Sequence, residues 1–177
     1  TNAQLFPNDE WWELWAHFKE IDMQLSIDGI GDQYEYIRYP GKWSSLCANV
    51  EKFVSYEKEL DYLRLSVSHT VSAYNMYYLP AFFDWCERTG LPTPWCGRVH
   101  SPTHMRPSVY PYTVKKKIID HLRTSKHKEI ESWISLLENS ADDQYYKTFI
   151  EMCNKHDRYR NLDFKKTFKE LSKAIDE

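Results

Sequence analysis

Two stretches of alternating apolar and polar residues, with a helical pattern between them, constrain the fold more than any other feature of this sequence. Alternation runs over 23–28 and again over 62–71, which is the period of a half-buried strand. Between them, residues 43–57 carry apolar side chains at helical spacing. A strand, a helix and a second strand in this order predict a parallel βαβ unit.

Further elements surround this unit. A helical pattern over 9–20 places Trp11, Leu14, Trp15 and Phe18 at i, i+3, i+4 and i+7, which predicts one buried face. A helix at about 79–88 leads to a short extended stretch at 96–101, which we expect to be a third strand.

Strand patterns stop after Pro111, and three helices are predicted at about 113–123, 128–138 and 142–155. The predicted fold class is therefore α/β. It is a partial (β/α) barrel of about three parallel strands with flanking helices, followed by a C-terminal helical segment. We assign 1–111 to the barrel half and 112–177 to a helical extension packed on the barrel.

Composition narrows the function classes. The chain has 177 residues, of which 42% are hydrophobic and 16% aromatic, so a packed core is expected. A net charge of −3 argues against a protein that coats nucleic acid or an anionic membrane. The basic run 115–117 is interpreted as the solvated face of a helix. No apolar run approaches the length of a membrane span, and a cytoplasmic location is expected.

The four cysteines do not predict a metal or cluster site. Cys47, Cys86, Cys96 and Cys153 are scattered, without the close pairs that announce zinc or iron–sulfur ligands. Each lies in an apolar or helical stretch, so we expect buried, reduced thiols. No metal ligands and no catalytic residues are assigned in this chain.

Ligands of parallel α/β proteins bind at the carboxyl ends of the strands. Three segments qualify in this sequence: 26–31 with 34–39 behind it, 68–75, and 99–106. Because side chains alternate along a strand, Ser26, Asp28, Ser68 and Thr70 are expected on the face turned away from the flanking helices. Small polar side chains on that face suit a polar ligand.

The same segments carry a resemblance to a known family. The run 25–29, Leu-Ser-Ile-Asp-Gly, and the tyrosine–arginine stretch 34–43 resemble the fourth strand and following segment of twitch domain-containing radical S-adenosylmethionine (radical SAM) proteins. The segment 69–85 is similar to the next strand and helix, and 160–168 to the family's tail. The resemblance covers nearly the whole chain in order, as the C-terminal half of such a protein.

The resemblance implies a (β/α)6 barrel that binds S-adenosylmethionine and a [4Fe–4S] cluster, and an electron from the cluster generates a 5′-deoxyadenosyl radical. In that barrel the three predicted strands would be the fourth to sixth, and residues 1–3 would end the third. It implies cofactor contacts in the later strands, and the positions that match are Ser26, Asp28, Ser68, Thr70, Asn75, Val99 and His100. Expected substrate contacts are Tyr34, Arg38, His104 and Arg106.

This chain departs from the family pattern in one large respect. The CxxxCxxC motif that holds the cluster, the first strands and the twitch extension are not in it. Alone it is not expected to make a radical, and an N-terminal radical SAM half or another chain covering the open barrel face is the expected partner. The alternative is a non-catalytic barrel remnant that acts as a protein-interaction or assembly module.

Several candidate residues have two interpretations. Asp28 either binds a ribose hydroxyl or caps the turn at Gly29. Arg38 and Arg106 bind an anionic substrate group or form surface ion pairs. The histidines at 69, 100 and 104 either converge as a metal or proton-transfer site or are unrelated loop residues. The aromatic run 74–85 either stacks on bases or packs a helix.

Overall fold

The computed structural model describes residues 1–176. Three strands form one sheet in the order β1-β2-β3, with β1 and β2 parallel. The strands are β1 (Ile21–Ser26), β2 (Leu63–Val71) and β3 (Trp95–Arg98). The helices are α1 (Asp9–Trp15), α2 (Gly31–Ile37), α3 (Trp43–Glu59), α4 (Leu79–Thr89), α5 (Tyr112–Leu122), α6 (Glu131–Asn139), α7 (Tyr146–Arg160), α8 (Phe164–Thr167) and α9 (Lys169–Asp176).

This arrangement confirms the α/β class, the parallel pairing and the helical C-terminal segment. The described residues divide into two compact units. One comprises 1–69 with 83–96, and the other comprises 70–82 with the chain from Gly97 onward. The division into a barrel half over 1–111 and an extension over 112–177 stays a prediction, as does the barrel itself.

Burial along the first two strands follows the predicted alternation. In β1, Met23 and Leu25 are buried while Gln24 is exposed, and Ile27 just beyond the strand is fully buried. In β2, buried residues alternate with exposed or half-buried ones from Leu63 to Val71. The polar face of these strands is therefore the accessible one.

The outer edge of β1 is partly paired. The Thr1 nitrogen donates to the Gln24 carbonyl at 2.8 Å, and the Ser26 amide donates to the Thr1 carbonyl at 2.8 Å. These are the two bonds that a residue in a neighbouring parallel strand makes. Thr1 thus occupies the position of a strand residue beside Leu25, while the strand end expected over 1–3 stays a prediction.

The predicted buried face of the first helix is wrong. Trp11, Leu14 and Phe18 are each more than half exposed, and the buried residue of α1 is Trp12. The helix ends at Trp15, five residues earlier than predicted. Trp12 is turned toward Phe6, at 5.6 Å between ring centroids, and toward Tyr56 at 4.6 Å.

The basic run 115–117 is not a solvated face. Lys115 is 6% exposed, and its Nζ donates to the Ser140 carbonyl at 2.6 Å, at the C-terminal end of α6. The stem of a lysine packs well among apolar residues when its ammonium finds a carbonyl. Lys116 alone of the three is exposed.

The second unit is held by an aromatic core. Tyr74 stacks on Phe168 at 5.6 Å and contacts Phe149 at 5.5 Å, while Tyr110 meets Phe149 edge-on at 5.6 Å. The predicted packing role of the run 74–85 is confirmed for its buried members, which are Tyr74, Tyr78, Phe82, Phe83 and Trp85.

All four cysteines are free thiols. Cys86 and Cys153 are buried as expected, and burial raises the pKa of each thiol to about 12, which leaves them protonated and unreactive. Cys47 and Cys96 are only half-buried, so the expectation of burial fails for these two. Among the helices of residues 1–176, none is both long enough and apolar enough to cross a bilayer.

Candidate functional site

The carboxyl end of β1 and β2 brings together three predicted cofactor contacts of the first unit. Ser26 and Ser68 are register partners in the parallel ladder, and the Ile27 amide donates to the Ser68 carbonyl at 3.0 Å. Neighbouring strands lie about 4.8 Å apart, so the two serines form a pair. Both serines are half-buried, and Asp28 lies two residues after Ser26.

Asp28 is buried and bound to a predicted substrate contact. The Arg38 Nε donates to Asp28 Oδ2 at 2.6 Å, with the aspartate side chain 9% exposed and the arginine side chain 33% exposed. The residues are ten apart because α2 lies between them and returns Arg38, its C-cap, to the end of β1. Asp28 therefore fixes the guanidinium at the end of the strand. Its two predicted roles, a contact to a ribose hydroxyl and a cap for the turn at Gly29, stay predictions.

His69 lies behind this ion pair. It is 1% exposed, and its Nδ1 lies 2.8 Å from the Ile27 carbonyl. Because a carbonyl only accepts, Nδ1 carries the proton. Burial lowers the pKa of His69, and the Asp28 charge and the bond to Ile27 oppose that effect. The His69 ring thus links β2 to the residue that follows β1 through a hydrogen bond, and the lowered pKa favours its neutral form.

Tyr34 and Arg38 line a cavity of about 500 Å³ in the first unit, together with Gln4 and Tyr39. The Tyr34 ring is buried, and its hydroxyl accepts from Gln4 Nε2 at 2.9 Å. Burial raises the pKa of Tyr34, so it stays a neutral phenol. The cavity offers a phenol, a guanidinium and amide groups, which suit a polar ligand.

Gln4 is a residue that the sequence did not indicate. Its side-chain amide accepts from the Lys42 amide nitrogen at 2.7 Å and donates to the Lys42 carbonyl at 3.1 Å, besides its bond to Tyr34. The spacing of 38 residues explains why no local pattern points to it. Gln4 holds one wall of the cavity in place.

In the second unit, Thr70 lies near the end of β2, and Asn75 lies in the turn that follows β2. The Asn75 amide donates to the Thr70 carbonyl at 2.9 Å, and its Oδ1 accepts from the Ser72 amide at 2.7 Å. Asn75 therefore shapes the turn with both ends of its side chain. The cofactor contacts expected of Thr70 and Asn75 stay predictions.

The remaining predicted residues of the second unit follow β3. The Val99 amide donates to the Val71 carbonyl at 2.9 Å, and His100 is exposed next to it. Arg106 Nε donates to the His100 carbonyl at 3.0 Å, and its Nη1 donates to Asp142 Oδ1 at 2.8 Å. His104 is half-buried in a 3-10 turn. The sequence did not indicate Asp142, which lies in a polar segment after α6.

Comparisons of the chain with protein-family models, with curated proteins and with solved structures found no match. A functional proposal therefore depends on the residues and their geometry.

Proposed function

We propose that this chain is the C-terminal part of a radical S-adenosylmethionine enzyme, and that it contributes cofactor- and substrate-binding strands while another segment holds the iron–sulfur cluster. The observation that carries the proposal is the Ser26–Ser68 pair, with Asp28 beside it, at the carboxyl end of two parallel strands. Ligands bind at that end of parallel sheets, and the family resemblance expects the cofactor's ribose there.

The side chains present fit a ribose. A serine hydroxyl both donates and accepts, so two adjacent serines can match two vicinal hydroxyls. Asp28 adds a carboxylate that the Arg38 guanidinium holds in position at 2.6 Å. The bound cofactor and cluster would supply the radical chemistry, whereas the residues of this chain would orient the ribose and the substrate.

The edge of β1 supports the need for a further barrel segment. Thr1 is hydrogen-bonded there as a parallel strand residue, and an open strand edge is a template for another strand. Under the proposal, an N-terminal radical SAM segment pairs along this edge. Tyr34 and Arg38 would then face the substrate from their cavity.

The test is to co-produce this chain with a segment from the same genome that carries CxxxCxxC, and to reconstitute the pair with iron and sulfide. We expect an iron–sulfur absorbance band and reductive cleavage of S-adenosylmethionine that requires both chains. Ser26→Ala with Ser68→Ala removes about 1–3 kcal/mol of hydrogen bonding and should raise the KM for S-adenosylmethionine roughly tenfold.

The control is Ser44→Ala, an exposed serine in α3, which should leave the KM unchanged. A folded, assembled pair that neither holds a cluster nor cleaves S-adenosylmethionine would overturn the proposal. A double-serine variant with the wild-type KM would remove these two residues from the cofactor site.

A second candidate function is a protein-interaction module, and one observation favours it. Leu5, Trp11, Leu14 and Phe18 are 51–83% exposed, and Trp11 with Trp15 lines an open groove of about 440 Å³. Exposed apolar patches of this kind mark binding surfaces. The acids of α1, Asp9, Glu10 and Glu13, are all exposed beside it, so the partner that fits is a basic amphipathic segment.

This function is tested by titrating the chain with a labelled amphipathic helix of leucine and lysine. A helix with glutamate in place of lysine is the matched comparison. We expect the basic helix to bind and Leu14→Ala to weaken it severalfold, while Trp95→Ala, which changes another exposed apolar residue, has no effect. Equal binding of both helices, or of neither, would contradict this function.

A further inference from the structure

The second unit contains a polar cavity that does not include the Ser26–Ser68 pair on which the proposed function depends. It has a volume of about 150 Å³, and its polar lining comes from Arg98, His100, Arg106, Ser108 and Asp142. We infer that this cavity binds an oxyanion, a phosphate or carboxylate group of a small molecule. Assigning that group to the substrate rests on the proposed function, whereas the binding of the anion does not.

The charges of the cavity favour an anion. Arg98 and Arg106 bring two positive charges, and among residues 1–176 Asp142 is the only carboxylate in the lining. Both oxygens of Asp142 already have a partner, because Oδ1 accepts from Arg106 Nη1 at 2.8 Å and Oδ2 accepts from the Ser108 hydroxyl. These contacts lower the pKa of Asp142, so it stays ionised and neutralises one guanidinium. One positive charge is left over.

Arg106 is held in place to receive the anion. Its Nε donates to the His100 carbonyl at 3.0 Å, and one Nη1 hydrogen goes to Asp142. These bonds use two of the five N–H groups of a guanidinium and leave three. Its side chain is 35% exposed, so the remaining donors are within reach of a ligand. A guanidinium fixed in this way binds oxyanions with little loss of side-chain entropy.

Arg98 reaches the same histidine from β3. Its Nε lies 3.4 Å from His100 Nε2 and donates to it, so that nitrogen accepts and the ring proton sits on Nδ1. The ring of His100 therefore accepts from Arg98, and its carbonyl accepts from Arg106. The site therefore combines two guanidinium groups, which only donate hydrogen bonds.

A cation does not fit the same cavity. A metal ion needs several oxygen or nitrogen ligands with available lone pairs. Both Asp142 oxygens and the His100 Nε2 already accept hydrogen bonds from arginine or serine. Two guanidinium groups in the lining would also repel a cation.

The experiment is isothermal titration of the full chain with sodium phosphate, and separately with sodium malonate, at constant ionic strength in chloride. We expect saturable binding of at least one anion, and a difference between the two identifies a phosphate or a carboxylate ligand. Arg98→Gln should weaken binding at least fivefold. Arg106→Gln should abolish it.

Arg158→Gln is the matched control, because Arg158 is an exposed arginine of the same unit and lies on α7. It removes one positive charge and should leave the dissociation constant unchanged. Thermal melting followed by circular dichroism shows whether a variant that does not bind is still folded. This control is needed for Arg106→Gln, because Arg106 is ion-paired with Asp142. Arg98 is exposed, so Arg98→Gln tests the site with less risk to folding. No saturable binding by the folded wild-type chain, or an equal effect of Arg158→Gln, would overturn the inference.

The outcome is separable from that of the proposed function. Anion binding by this chain with no S-adenosylmethionine cleavage by the reconstituted pair would retain the anion site and reject the radical enzyme. Cleavage of S-adenosylmethionine by the pair without anion binding by this chain would retain the radical enzyme and reject the anion site.

Discussion

At the scale of single residues, His69 shows how burial sets a protonation state. The side chain is 1% exposed and donates from Nδ1 to the Ile27 carbonyl. Desolvation lowers the pKa of His69 more than the nearby Asp28 raises it. A neutral histidine is thus part of the folded state, and protonating it must cost stability.

The expected consequence is a pH-dependent stability. A folded-state pKa below the unfolded value of about 6.5 means that the unfolded chain binds more protons, so stability is lost as pH falls below about 6.5. Urea unfolding at pH 7.5 to 5 should show a steeper fall for wild type than for His69→Gln. The difference in slope has a limit of about 1.4 kcal/mol per pH unit.

The comparison isolates His69 because both proteins retain His121 and His156, whose pKa values burial also lowers. Parallel curves for wild type and His69→Gln would show that His69 is not the group responsible.

Asp28 shows what the sequence could and could not predict at this scale. Its place at the carboxyl end of the first strand followed from the alternation over 23–28, which is a local signal. Its partner Arg38 did not follow, because the pairing depends on α2. The segment 29–42 contains glycines and a proline and has no clear helical period, so this helix was not predicted.

At the scale of elements, α1 carries more apolar surface than the neighbouring elements of its unit bury. Trp12 packs in a cluster with Phe6, Trp15 and Tyr56, at centroid distances of 4.6–5.6 Å. Trp11, one residue earlier, is 53% exposed. Periodicity identifies an apolar face, but only the position of the covering elements decides which part of it is buried.

This difference predicts unequal costs for two equal truncations. Trp12→Ala should lower the free energy of unfolding by about 3–5 kcal/mol, since it leaves a cavity in an aromatic cluster. Trp11→Ala should change it by about 0.5 kcal/mol, as is usual for exposed positions. Chemical denaturation of both variants measures the difference, and similar losses would contradict the assigned orientation of α1.

Lys115 makes the same point for α5. A lysine triplet is typical of a solvated helix face, yet the first of the three is buried with its ammonium on the Ser140 carbonyl. The partner is 25 residues away, so no local pattern could predict it. A cation at the C-terminal end of α6 also lies where the helix dipole favours it.

At the scale of the whole molecule, the order of the strands and helices was largely predictable from the sequence, but their division into two compact units was not. Strand, helix and strand with parallel pairing followed from period-2 and period-3.6 patterns. The units instead divide the chain at 69–70, 82–83 and 96–97, within β2, α4 and β3. A sequence reveals a boundary between units when the boundary falls in a linker rich in glycine, proline or polar residues. A boundary inside a continuous strand or helix has no such composition and could not be predicted.

The candidate sites follow the same rule. Ser26, Asp28 and Ser68 were accessible to prediction because strand ends in a parallel sheet meet at one edge. Gln4, Ser108 and Asp142 were not, since each acts through a partner 34–38 residues away. Periodicity along the sequence identified the predicted residues, whereas the missed residues are recognisable only by their tertiary contacts.

The hydrogen bonds of Thr1 have a practical consequence for protein engineering. Residues attached ahead of Thr1 would leave the protein in the direction of a strand beside β1, along the edge where Asp22 and Gln24 lie. An apolar affinity tag there would extend the sheet and invite association between molecules. A tag with proline or lysine in the residues that directly precede Thr1 would instead end the ladder at Thr1.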